Sequence, residues 1–303
     1  MTSGLLPQAP FGRVLTAMVT PFRDDGSLDL EAAARVAEHL ADHGHDGVVV
    51  LGTTGESPTV GPDEAGRLLR AVVDAVGDRM RVVAGVGSND TAHSVVLAEQ
   101  AEKCGVHGLL LVTPYYNKPT QEGVASHFET VANATGLPVL LYDIPGRTGI
   151  AIAEDTFQRV AEHERIVAVK DAVGDLSRGV RIMTQTGLSF YSGDDDMNLG
   201  WLTHGAAGIV SVVGHVAGKE YAAMVAAVDN GDLVTALACY RRLVPVVDAV
   251  MRRAPGAMTA KAALQLLGVL DNRTMRLPLV PASDDLVADL RTALADAGLL
   301  PTH

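Results

Sequence analysis

Aromatic residues are scarce in this chain. They make up 4% of its 303 residues, while hydrophobic residues overall reach 48%. A large core with so few rings must rest on Val, Leu, Ile and Ala, which suits a sheet covered by helices on both faces. Cysteine is nearly missing as well. Cys104 and Cys239 stand far apart with no C-x-x-C, so the patterns of a disulfide framework or a zinc site are not there. The formal charge is −12 and no long Lys/Arg run occurs. Nucleic acid and anionic membranes are therefore not expected as partners. No apolar run approaches the ~20 residues of a membrane span. The start, MTSGLLPQAPFGR, has neither a basic opening nor a long apolar segment and does not read as a signal peptide. A reducing, cytoplasmic setting is expected.

What the chain does have is repetition. Short β-rich apolar runs recur at 14–22, 47–57, 81–90, 108–117, 138–149, 166–175, 188–196 and 208–215. Helix-like stretches separate them. In 30–44, Ala33, Val36, Ala37 and Leu40 form one apolar stripe at helical spacing, and Gly44 supplies the stop. Eight strand–helix units predict an α/β fold, a (β/α)₈ TIM barrel over residues 1–224. An open doubly wound sheet is the second choice, but no GxGxxG opens its first unit. Beyond about residue 217 the pattern is helical only. A C-terminal helical domain is expected over 225–303, serving packing or assembly.

Barrel enzymes build their sites at the C-terminal ends of the strands. The segments there are TTGES, TPYYN, YDIPGRTG, KDA and SGDDD. The sixth run, IVAVKDAVGD, ends an apolar strand on Lys170, one of only five lysines (103, 118, 170, 219 and 261). Alternation puts Ile166, Ala168 and Lys170 on one face, Leu140 and Tyr142 on one face, and Val49, Leu51 and Thr53 on one face. With those faces inward, Lys170, Tyr142 and Thr53 converge at the barrel mouth. Burial lowers a lysine pKa and leaves some free amine, which can attack a ketone and form a Schiff base. A snorkelling lysine is the plainer alternative. Tyr142 is a candidate proton shuttle or a core tyrosine. GTTGES offers hydroxyls and backbone N–H groups to a carboxylate, or is merely a turn before a helix. Arg147 is a carboxylate clamp or an exposed turn arginine. Asp194, Asp195 and Asp196 read as a helix cap with an acidic first turn. No metal site is expected.

Taken in order, GTTGES (52–57), TPYYNKP (113–119), YDIPGRTG (142–149), VKDA (169–172) and SGDD (192–195) resemble the dihydrodipicolinate synthase / N-acetylneuraminate lyase family of Schiff-base aldolases. The resemblance covers nearly the whole chain. It implies a Schiff base between Lys170 and pyruvate, with no cofactor. It implies Tyr142 as proton donor and acceptor, and Thr53 and Tyr116 as the rest of a proton relay, Tyr116 reaching into a neighbouring subunit. Thr54 and the Val210 backbone would hold pyruvate. Arg147 resembles the arginine that binds the carboxylate of aspartate semialdehyde, which favours the synthase branch. The alternative is a lyase releasing pyruvate from a 2-keto-3-deoxy sugar acid or an N-acetylneuraminate-type substrate. A homotetramer, a dimer of dimers, is implied.

Lysine-inhibited members bind lysine near positions that Glu56, Ser57, Asn89 and Tyr115 match. His93 stands where they usually carry a glutamate, and Ala65 where they often carry a histidine. Weak or absent lysine inhibition is the expectation.

Overall fold

Each of the eight apolar runs supplies one strand. In the computed structural model, which describes residues 8–300, these are β1 (Val14–Ala17), β2 (Gly47–Val50), β3 (Arg81–Gly85), β4 (Gly108–Val112), β5 (Val139–Asp143), β6 (Ile166–Asp171), β7 (Ser189–Ser192) and β8 (Gly208–Ser211). All pairings between neighbours are parallel. β8 returns to β1, with Val210 opposite Leu15, and the barrel closes. The chain is thus a (β/α)₈ barrel with a C-terminal helical part.

Alternation sorts the strand residues into two cores. Leu15, Val49, Val83, Leu110, Leu140, Ala168, Tyr191 and Val210 pack together inside the barrel. Val48, Val82, Leu109, Leu141 and Val169 face the helices. Both faces are buried, so the strands read as unbroken apolar runs. The helices have local causes. In the helix Leu30–Asp42 the Asp29 carboxylate caps the N–H of Ala32 at 3.0 Å, and the predicted stripe is buried. Gly44 takes φ +87° just beyond it, a conformation that suits glycine.

Residue 225 lies within the helix Gly214–Asp229, so the expected boundary falls in mid-helix. That helix contacts β1 and β8, and we propose that the barrel unit runs to Asp229. The helices Leu233–Val247, Gly256–Leu266 and Asp284–Asp296 follow. Among the described residues, no helix is long and apolar enough to cross a membrane.

Candidate active site

β5 and β6 pair so that Tyr142 stands opposite Lys170. Both side chains belong to the inward face, and each residue is 5% exposed. Lys170 Nζ lies 4.2 Å from the Tyr142 ring centroid. Burial pushes the Lys170 pKa down to about 8 from 10.5, the Asp195 carboxylate pulls it up, and Arg147 lowers it further. Burial raises the Tyr142 phenol above its ordinary value. At pH 7.4 a lysine of pKa 8 is roughly one-fifth free amine, against about a thousandth at 10.5. Room for the stem comes from Gly193. A Cβ there would stand 2.9 Å from Lys170 Cγ and 3.0 Å from Cε, so any other residue would push the lysine aside.

Lys170 opens into a cavity of about 290 Å³. Its wall includes Thr53, Thr54, Tyr142, Arg147, Gly193 and Asp194. A second cavity of about 320 Å³ shares Thr53, Tyr142 and Arg147 with the first, and adds Ser57, Tyr115 and Tyr116. Arg147 sits in the short helix Pro145–Thr148 just after β5. It is exposed, and among the described residues its guanidinium pairs with no carboxylate. It is therefore free to meet an incoming one. Tyr116 follows β4 at φ +72° and is 87% exposed. It lines the second cavity and does not line the wall around Lys170. Val210 belongs to the barrel interior, whereas Val212, two residues on, lines the Lys170 cavity.

Thr53 reaches the cavity by a different route from the one expected. β2 ends at Val50, and Leu51 turns the chain with φ +61°. Strand alternation therefore stops before Thr53, and the loop carries it to the mouth. Glu56 is not free for a ligand. It is 3% exposed, and Lys261 donates to its Oε1 at 2.6 Å while the Arg276 N–H donates to Oε2 at 3.0 Å.

The acidic trio only partly follows expectation. Asp194 caps the short turn Asp195–Met197. Asp195 instead turns inward, 2% exposed. It accepts from the hydroxyls of Ser211 and Tyr221, from Asn198 Nδ2 at 3.2 Å, and from the N–H groups of Val212 and Val213 at 2.8 and 3.2 Å. This buried, fully hydrogen-bonded carboxylate opposes the loss of charge on Lys170. The C-terminal part does more than pack: Met251, Pro255, Gly256, Ala257 and Leu279 close one side of the Lys170 cavity. Sequence reasoning missed these residues because their docking leaves no local pattern.

A sequence profile described as the dihydrodipicolinate synthetase family matches residues 10–297. A 4-hydroxy-tetrahydrodipicolinate synthase of Kineococcus radiotolerans is 62% identical over 295 residues, 97% of this chain and 96% of the relative. One of Acidothermus cellulolyticus is 58% identical, over 98% and 96% of the two chains. A crystal structure of the Cyanidioschyzon merolae enzyme with lysine bound superposes with a TM-score of 0.92 at 42% identity, over 97% of this chain and 100% of that one. With the barrel, the inward lysine and these matches, the chain belongs to the dihydrodipicolinate synthetase family.

Proposed function

We propose that this lyase joins pyruvate to aspartate 4-semialdehyde through a Schiff base on Lys170, giving 4-hydroxy-tetrahydrodipicolinate and opening the lysine and diaminopimelate branch in the cytoplasm. The observation that carries the reading is a buried lysine, its pKa lowered to about 8, set against a tyrosine in the wall of a cavity whose rim carries an arginine with no carboxylate partner among the described residues. The free amine attacks C2 of pyruvate. The carbinolamine loses water to give an iminium, whose charge the buried Asp195 carboxylate favours. Loss of a C3 proton gives the enamine. Its C3 attacks the aldehyde while Arg147 holds the semialdehyde carboxylate. The substrate's own amine then attacks C2, closes the ring and frees Lys170. No added cofactor is needed.

Tyr142 donates and accepts the protons, with Thr53 and the Tyr116 of a second copy completing the relay. An 87% exposed tyrosine held at positive φ is strained and badly placed for a lone chain. Both features are accounted for when its ring enters the next copy's site, in a homotetramer built as a dimer of dimers. Thr54 and the Val210 backbone hold pyruvate.

Borohydride reduction with pyruvate, followed by peptide mass spectrometry, tests the central step. An adduct on Lys170 is expected; none, or one elsewhere, rejects it. Arg147→Ala should cut kcat/KM for the semialdehyde by about 10²-fold or more while leaving adduct formation nearly intact. Equal losses in both, or faster turnover of sugar acids than of the semialdehyde, would favour the pyruvate-releasing lyase instead.

Free lysine should inhibit weakly. His93 offers no carboxylate for a cationic amino acid, Ala65 no hydrogen bond, and Glu56 is already occupied by Lys261. An inhibition constant above about 1 mM is expected, and a submillimolar one in steady-state assays would contradict this.

A further inference from the structure

The arginine that faces the semialdehyde sits on a loop whose two ends are tied together by a second arginine, Arg178 of the helix Leu176–Thr186. The segment leaves β5 after Asp143 and comes back at Ile152, with Arg147 between. Asp143 accepts from the Ile152 N–H at 3.3 Å. Arg178 Nη2 donates to Asp143 Oδ2 at 2.9 Å and also to the Ile152 carbonyl. The same guanidinium donates through Nη1 to Asp171 Oδ2 at 3.3 Å. Asp171 directly follows Lys170, and Asp143 directly follows Tyr142, so the two carboxylates are register partners one step beyond the reacting pair.

Both carboxylates are fully buried, and the Arg178 side chain is 12% exposed. One guanidinium thus bridges three acceptors on two strand ends and a loop end. A lysine carries the charge, but its point-like ammonium does not match that planar fork. Within the loop, the Thr148 hydroxyl donates to the carbonyls of Ile144 and Ile150 at 3.1 and 2.8 Å. The loop is therefore braced at its base and at its centre, while Arg147 at the rim has no carboxylate partner among the described residues.

We propose that Arg178 is a positioning residue for the aldehyde half of the reaction: through Asp143 and Ile152 it pre-sets the loop that presents Arg147. It lines neither of the two cavities. An arginine held in place loses less freedom when the semialdehyde carboxylate arrives, and small displacements of such a group are costly to rate. The proposal rests on the function proposed above, and borohydride trapping on the unsubstituted chain tests that function separately.

Arg178→Lys is the first test, since it keeps one positive charge between the two carboxylates. Initial rates are measured with each substrate varied in turn, together with the trapped fraction and the melting temperature. The KM for the semialdehyde should rise about tenfold, with the KM for pyruvate and the Lys170 adduct within about twofold of the parent. The triple variant Asp143→Asn, Asp171→Asn and Arg178→Gln removes all three charges and so leaves no buried acid without its partner. It should show the same split more strongly. An unchanged semialdehyde KM, or equal rises for both substrates, in the variants that fold would overturn the proposal. Normal trapping with a raised semialdehyde KM alone supports it.

Discussion

Replacing Lys170 with Met should abolish turnover and yet make the folded chain more stable. Without the amine no Schiff base forms, and kcat should fall by roughly 10⁴-fold or more, with no borohydride adduct. Stability moves the other way. Burial lowers the Lys170 pKa from 10.5 to about 8. In the folded state the ammonium is therefore disfavoured relative to the unfolded chain. That penalty is fully present below about pH 8 and fades as pH rises from 8 towards 10.5. A shift of this size corresponds to about 3 kcal/mol at neutral pH. Met fills a similar volume with no charge to desolvate. Thermal melts of parent and variant at matched protein concentration should show Lys170→Met melting a few degrees higher at pH 7. The gap should shrink near pH 10. A variant equally or less stable at pH 7 would mean the lysine is better accommodated than its burial implies.

The barrel was legible because parallel strands covered on both faces leave continuous apolar runs, and eight of them recur at helical intervals. Parity worked wherever the strand stayed regular. Ala168 with Lys170, and Leu140 with Tyr142, alternate inward as the sequence predicts. It failed at Ile166, which joins the helix-facing core because the pairing of β6 with β5 shifts register between Ile166 and Ala168, and at Thr53, which still reaches the cavity. Leu51 adopts a left-handed conformation that nothing in its identity signals, so the count of two ends at Val50. Asp195 shows a different limit. An Asp in an acidic trio after a strand looks like a cap, and Asp194 is one. Only the convergence of Ser211, Asn198 and Tyr221 reveals its neighbour as a buried acceptor. Arg178 was illegible for a related reason, since its partner Asp143 lies 35 residues away. The wall supplied by Gly256 and Ala257 depends on how one helix docks, which composition does not specify.

Removing the second buried lysine should have the opposite effect on stability from removing the first. Lys261, in the helix Gly256–Leu266, is 1% exposed. It donates to Glu56 Oε1 at 2.6 Å and to the Thr274 carbonyl at 2.8 Å, and its Nζ lies 4.3 Å from the Phe22 ring centroid. Burial pushes its pKa down to about 8, with Glu56 pulling the other way, so the ammonium form prevails at neutral pH. Here, unlike at Lys170, a bonded carboxylate depends on the cation. Lys261→Met strands the Glu56 charge in the interior, which costs about 3–5 kcal/mol. The melting temperature should drop by roughly 5–15 °C. The double variant Glu56→Gln with Lys261→Met removes the stranded charge and keeps an acceptor for the Arg276 N–H. It should recover most of the loss, because a buried ion pair replaced whole is often nearly neutral. Activity need not recover with it. Glu56 anchors the loop that carries Thr53 and Thr54, and the first turn of the Lys261 helix forms the facing wall through Gly256 and Ala257. The pair therefore spans two sides of one cavity. The double variant should regain its melting temperature but keep a raised KM for pyruvate. Full recovery of both would make the pair a stabilising element only, and no loss of stability in Lys261→Met would mean that water reaches Glu56.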